Sequence, residues 1–484
     1  MRVTLAICAT ILFTISCKTP NDLKQVTVTG EVYPNDITEV RFVGVIDNSI
    51  GDFGAQYVAH VDSNSQFSVV IPIERMATGR MYAGNIYQHL VFIPGDSYHI
   101  EIYDDSLFFG GKGAEKNNFL FAANKAGTGE RQFAAEYNKG KLSPSEFASE
   151  MNDFKKKRLA FLDTYSNINN LEPEFLDFYN IETQIIYENR IQGYPRKYAY
   201  VHKTPVDSLE LSDEYLRLNC LENFMDDRKV ISFNYIHNLR NFLFKKGREV
   251  IQMDPSFTYP EAMRAVLFDS LQGKTQEYVM AKWVISEFTQ NRFDTLVYNT
   301  FLKLDRDKYS TRTVEKAYTK YNEKQSLIGQ PLHSSFTETM IVDTSNVQLS
   351  FKEMMNKYEG EVVYLDLWSL RCAPCRSAMP HSRDLKNRLS DFPIEFVFLA
   401  QDPPSQNVWD EIFEVSLTDE NHYRMVDHDW GTAKMLKFME IDWVPCYMIF
   451  DKQGRLIDFS ANRPYVQENI ESELEKRLKQ LARV

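Results

Sequence analysis

The sequence predicts a multidomain chain with an N-terminal β-sandwich, a central α-helical region and a C-terminal α/β fold. Three patterns lead there. Apolar residues recur with a period of two over 25–104, with helical spacing over 113–324, and in alternating strand-like and helix-like runs over 328–484. The length of 484 residues, at roughly 150 residues per domain, also gives about three domains. Hydrophobic residues make up 43% and charged ones 25%, enough apolar material for packed cores and too much for a disordered chain. Lys plus Arg is 55 against 67 for Asp plus Glu, a net charge of -12 that argues against nucleic-acid binding, where affinity comes from neutralised phosphates. Gly 20 and Pro 18 exclude collagen-like and low-complexity classes. Six cysteines are too few for a disulfide scaffold of this length, so each is read by its position.

The first residues read as an address. Arg2 precedes the uncharged, mostly apolar run from Val3 to Ser16, too short to span a bilayer of about 30 Å but suited to a secretory signal. The run stops at Cys17, before polar Lys18-Thr19-Pro20-Asn21-Asp22. This resembles a bacterial lipoprotein signal, in which residues 1–16 are removed and the thiol of Cys17 carries lipid; Thr14 stands where that motif more often has Leu. The resemblance implies a mature chain tethered to a membrane in the bacterial cell envelope, where disulfides persist. No later stretch is long and apolar enough for a transmembrane helix.

Within 25–104, Gln25–Thr29, Glu39–Val43, Gln66–Ile71 and Ser97–Ile102 alternate apolar and polar residues, as half-buried strands do. Asp62-Ser63-Asn64-Ser65 and Pro94-Gly95-Asp96 supply turns between them. A small antiparallel sandwich is expected. Within 113–324, Phe147, Met151, Phe154, Leu159 and Leu162 trace one helical face, with Lys155-Lys156-Lys157-Arg158 placed in solvent. Pro195, Pro205 and Pro255 are expected at helix boundaries. The many Tyr and Phe residues read as packing between helices, and Cys220 as a buried small hydrophobe.

In the last region, Glu361–Trp368 reads as a buried central strand and Ile394–Leu399 as a second, with a helix between them as in a βαβ unit. Cys446–Phe450, Asp451–Gly454 and Arg455–Phe459 read as strand, turn, strand. Ile470, Leu474 and Leu478 give the tail helical spacing. The chemistry lies in Trp368-Ser369-Leu370-Arg371-Cys372-Ala373-Pro374-Cys375-Arg376. Two cysteines three apart at a strand-to-helix junction can close a small disulfide and reopen it. A helix starting near Cys372 would turn unsatisfied N–H groups and the positive end of its dipole on that sulfur, favouring the attacking thiolate. Cys375, one turn further in, would be shielded, and Pro374 suits a first helical turn.

These residues resemble a TlpA/ResA-type thioredoxin domain over about 328–480. Asp366 stands six residues before Cys372, Pro380 eight after it, and Trp443-Val444-Pro445 resembles the family's cis-proline loop. The preceding strand region is similar to the β domain of envelope lipoproteins of Bacteroidota. The resemblance implies a thiol–disulfide oxidoreductase in which Cys372 and Cys375 are the redox-active pair. Cys372 attacks a substrate disulfide, Cys375 releases product, Asp366 exchanges a proton with Cys375, and Val444 and Pro445 present backbone to substrate. It further implies disulfide-bearing envelope proteins as substrates, more as a reductase than an oxidase, and electrons from a membrane thiol carrier.

Several positions depart from the pattern. Arg371 replaces the usual aromatic before the first cysteine, and Arg376 follows the second; both charges would favour thiolate at Cys372 or belong to an ordinary surface. Ala378 stands where relatives carry an acid, so that role goes unassigned. Cys446 after Pro445 reads as a strand residue, with thiol chemistry or metal binding as the alternatives, and His381 reads as exposed. No metal and no cofactor is expected, since no P-loop, dinucleotide glycine turn or HExxH occurs. The rival reading is a binding or scaffold lipoprotein whose disulfide is only structural.

Overall fold

The computed structural model describes residues 25–34, 36–46, 50, 55–104, 106–218, 225–404, 408–409, 421–429, 433–439, 441, 443–465 and 471–483. The signal segment 1–16, Cys17, Cys220 and Ile470 lie outside the described residues. The chain divides into two units, one running to Ile285 and including Thr295–Thr313, the other made of Ser286–Asp294 and Val314–Val484.

Unit 1 opens with eight strands, Gln25–Val32 (β1), Glu39–Ile46 (β2), Ala55–His60 (β3), Gln66–Pro72 (β4), Ala77–Ala83 (β5), Ile86–Phe92 (β6), Ser97–Ile102 (β7) and Leu107–Lys112 (β8). They form two four-stranded sheets, β4-β1-β7-β8 and β3-β2-β5-β6. Alternation sends Val26, Val28, Phe42, Met81, Phe92, Ile100 and Phe109 into one core between them. The sandwich is not wholly antiparallel. β1 runs parallel to β7, with Val28 opposite Tyr98. A parallel pair needs a long connection, and β2 to β6, which include the whole second sheet, supply it.

Helices follow at Glu115–Lys125 (α1), Glu130–Lys139 (α2), Pro144–Ser166 (α3), Pro173–His202 (α4) and Asp213–Leu218 (α5). Phe233–Met253 (α6), Tyr259–Ser270 (α7), Gly273–Thr289 (α8), Thr295–Lys303 (α9) and Lys308–Gln325 (α10) complete the series. The Asn117 side chain of α1 pairs with both backbone groups of Val91 on the β6 edge, extending the ladder by one amide. α3 begins with Pro144 in its first turn behind a reciprocal Ser143–Glu146 capping box. Two expectations fail here. Arg158 is buried rather than solvated, donating to Thr183 Oγ1 at 2.8 Å and Thr128 O at 3.0 Å beneath the Tyr179 ring. Those partners satisfy a guanidinium that spacing alone assigns to water. Pro195 lies inside α4, not at its end. Its neighbour Tyr194 is fully buried and stacks on Phe147 at 3.6 Å, so packing offsets a proline cost of about 3 kcal/mol.

Unit 2 is built on a seven-stranded sheet of Met340–Asp343 (β9), Gln348–Ser350 (β10), Val362–Trp368 (β11), Ile394–Ala400 (β12), Asn421–Met425 (β13), Cys446–Phe450 (β14) and Leu456–Asp458 (β15). The order is β10-β9-β13-β12-β11-β14-β15, with β12 parallel to β11 and β13, and β14 antiparallel to β11. The helices are Ser334–Thr337 (α11), Phe351–Asn356 (α12), Ala373–Arg388 (α13), Lys434–Met439 (α14) and Glu473–Arg483 (α15). Leu365, Leu367, Cys446 and Met448 pack on one face with Met354 of α12 and Leu436 of α14. Tyr364, Trp368, Tyr447 and Ile449 pack on the other with Met379 of α13 and Leu478 of α15. Every residue of β11 is therefore buried, which explains its uninterrupted apolar run apart from one acid, Asp366. The β14–β15 turn closes with Gly454 at φ 70°, while Asp451 Oδ1 accepts from the N–H groups of Gln453 and Arg455.

Candidate active site

The site begins where β11 leaves the sheet. Parallel pairing sets Trp368 opposite Ala400, so the segments leaving β11 and β12 emerge side by side at the carboxyl ends of the strands. Ser369, Leu370 and Arg371 turn the chain, and Cys372, with extended backbone, becomes the N-cap of α13. Its sulfur accepts the Cys375 N–H at 3.1 Å, and its carbonyl accepts those of Cys375 and Arg376. A side-chain acceptor is what an N-terminal helical turn needs, and a thiolate meets that need better than a thiol. Pro374 sits in the first turn, where its missing N–H costs nothing, and Pro380 lies further along α13.

Cys372 and Cys375 are joined as a disulfide. Their environments differ: Cys372 keeps 9% of its surface exposed, while Cys375 has none. Cys372 thus keeps a little contact with solvent where Cys375 keeps none. Val444 packs against the apolar cluster that holds both cysteines, and the Val444–Pro445 bond that follows is cis. Pro445 is half-buried.

Asp366 shares the sheet face of Tyr364 and Trp368, the face on which the pair lies. It is 1% exposed, and neither carboxyl oxygen has a hydrogen-bond partner among the described residues. Burial pushes its carboxyl up to about 8, opposed by the charge of Arg463. Opposite it across the β11–β14 ladder is Tyr447, whose buried hydroxyl also has no partner among the described residues and whose ring stacks on Tyr364 at 5.6 Å.

Cys446 lies on the other face of the sheet, among Leu367, Met448 and Phe459. Burial, with the charge of Asp366 adding, pushes its thiol up to about 12. Strand alternation thus separates it from the pair that proximity in sequence to Pro445 would suggest it joins. In the folded, oxidised chain Cys446 is expected to resist iodoacetamide at about pH 8 and to react fully once unfolded. Peptide mapping after a timed pulse reads this out, and rapid native labelling of Cys446 would contradict the burial.

Arg371 and Arg376 are exposed beside the pair, Ala378 is buried, and the half-buried His381 ring lies 5.3 Å from that of Tyr465. Among the described residues, no group of three His, Cys, Asp or Glu side chains could hold a metal ion. Asp402, just beyond β12, is the site residue that sequence reasoning missed. Its buried carboxylate accepts from Ser369 Oγ at 2.9 Å and Leu370 N at 3.0 Å. The available signal was an acid at the carboxyl end of the strand next to β11.

Residues 360–456, which hold Asp366, both cysteines and Pro445, match the family model described as thioredoxin-like. The chain is similar to the solved thioredoxin domain of a thiol-disulfide oxidoreductase from Bacteroides vulgatus, at 16% identity and TM-score 0.25 over 32% of this chain and 99% of that one. It is also similar to a thiol:disulfide interchange protein from Bacteroides sp., at 16% identity and TM-score 0.25 over 30% and 86%. A thioredoxin-like protein from Porphyromonas gingivalis aligns at 14% identity and TM-score 0.25 over 32% and 95%. No curated protein matches the chain. The C-terminal domain has a thioredoxin-like fold and follows, in chain order, an N-terminal β domain and a helical region. Among the described residues, no helix is long and apolar enough to cross a membrane.

Proposed function

We propose that the chain is an envelope thiol–disulfide oxidoreductase that reduces disulfides of other proteins through Cys372 and Cys375. The observation that carries this is the asymmetry of the pair, with Cys372 capping α13 and keeping some exposure and Cys375 fully buried one turn behind. In the reduced protein, Cys372 thiolate attacks a client disulfide, forming a mixed disulfide and expelling one client thiolate. Cys375 gives up its proton and attacks the Cys372 sulfur, which closes Cys372–Cys375 and releases the second client thiolate. The client gains two electrons and the pair loses two. The ionised form of Asp366, a minority near neutral pH because burial pushes the carboxyl up to about 8, is the acceptor for the Cys375 proton, directly or through water. The cis-proline bend at Val444–Pro445 offers the backbone against which a client strand would lie. A membrane thiol carrier would return the electrons, and lipid on Cys17 would hold the protein at that membrane.

The test is a redox titration of the full chain against dithiothreitol, with insulin reduction as the activity. A pair that opens reversibly and supports turnover is expected; one that stays closed in excess reductant would make the disulfide structural. A Cys375→Ala chain, expressed in cells, should accumulate mixed disulfides through Cys372. Their absence would count against client exchange, and their identity would define the substrates. Cys17→Ala should move the protein to the soluble fraction, and retention at the membrane would refute the anchor.

A further inference from the structure

We infer that Asp402 is a positioning residue for the nucleophile, clamping the Ser369–Leu370 turn so that Cys372 Sγ stays seated on the Cys375 N–H in the first turn of α13. This rests on the thiol–disulfide function proposed for the pair. Asp402 is 2% exposed, and its two oxygens meet two different donors, Ser369 Oγ at 2.9 Å and Leu370 N at 3.0 Å. The neighbouring Gln401 N–H donates to Trp368 O at 2.8 Å, fixing the same junction from its other side. The turn is then closed by Cys372 N–H donating to Ser369 O at 3.0 Å, and Cys372 Sγ receives the Cys375 N–H at 3.1 Å. A short chain of bonds therefore runs from the carboxylate to the sulfur.

The clamp matters most once the disulfide opens. While Cys372 and Cys375 are joined, the S–S bond itself limits how far the outer sulfur can drift. In the reduced protein that tether is gone, and the place of Cys372 depends on residues 369–371 and whatever holds them. A carboxylate suits this task because it presents acceptors on both oxygens. An Asn there can still serve both partners, accepting from Leu370 N–H and donating to a rotated Ser369 hydroxyl. An Ala can serve neither. Other charges near the site are those of Arg371 and Arg376 beside the pair, Asp366 on β11, and Arg424 on β13, whose field reaches Asp402. All of them remain in the variants below.

The experiment measures the alkylation rate of Cys372 against pH in the reduced full chain, read by peptide mapping, together with insulin reduction. Both variants lose the carboxylate's negative charge, a loss that by itself favours thiolate, so the clamp is read from the difference between them. The apparent pKa of Cys372 in Asp402→Ala is expected to lie about one unit above that in Asp402→Asn, with thiolate near neutral pH about tenfold lower. A folded Asp402→Ala chain whose Cys372 profile coincides with that of Asp402→Asn would overturn the inference. Should Asp402→Ala not fold, Ser369→Ala, which removes one of the two donors, must shift the same profile upward by a smaller amount, and no shift would overturn it equally. Because alkylation needs no client, a wild-type chain inactive on insulin would sink the proposed function while leaving the clamp to be judged on its own readout.

Discussion

A Cys372→Ser chain is expected to lose disulfide reduction by at least about a thousandfold, roughly 4 kcal/mol of activation free energy. The size follows from the absence of a substitute sulfur among the described residues. Cys375 has no exposed surface and, in the proposed reaction, becomes a nucleophile only after Cys372 has presented it with a mixed disulfide. Cys446 lies on the opposite sheet face, with a thiol pushed up to about 12, so its thiolate is scarce near neutral pH. A serine hydroxyl at position 372 can still cap α13, so the fold should survive and the loss should be chemical. Insulin precipitation at fixed dithiothreitol, corrected for the uncatalysed rate, measures it, with the circular dichroism spectrum as the check on folding. Retention of a tenth of the wild-type rate would mean that another sulfur makes the attack, and the assignment of Cys372 would fall.

Much of this site is legible in the amino-acid order because its parts are local. The run ending at Trp368, the cysteines three apart and Pro374 between them all report on one strand-to-helix junction. The period-two strands of unit 1 are legible for the same reason. Contacts set by tertiary structure are not. Asp402 is 32 and 33 residues from its partners, and only the parallel register of β11 and β12 brings them together. Arg158 follows three lysines and looks solvated until Thr128, Thr183 and Tyr179 close around it. Pro195 carries a local breaker signal that the packing of Tyr194 overrides. The parallel β1–β7 pair is invisible to alternation, which states which face a residue takes but not which way its neighbour runs.

Asp366→Ala is expected to stabilise unit 2 by several kcal/mol above about pH 8 and to lose that advantage on acidification. The carboxyl ordinarily titrates near 3.8, and burial pushes it up to about 8 in the folded chain. Below both values the group is neutral whether folded or not, and it then subtracts nothing through its charge. Between them the unfolded chain ionises while the folded one does not, so folding stability falls as pH rises. Above about 8 the folded protein carries a buried carboxylate whose oxygens have no hydrogen-bond partner among the described residues, and the penalty is complete. At about 1.4 kcal/mol per unit, a shift of this size outweighs the small cavity that Ala leaves, about 1 kcal/mol. Cys446 supplies the reporter, since it is buried in unit 2 and, with the pair oxidised, becomes reactive only when that unit opens. Urea midpoints read by its reaction with dithiodipyridine, from about pH 4 to about pH 9, should converge at the acid end and separate toward the alkaline end. A difference independent of pH would mean that the carboxyl is solvated in the folded protein. The same variant should also slow release of the mixed disulfide, by about a hundredfold above about pH 8, where wild-type Asp366 is ionised, and by less near neutral pH, because the Cys375 proton then has no buried acceptor. A chain that gained stability without this loss would retain Asp366 as a destabilising core acid and remove it from the reaction.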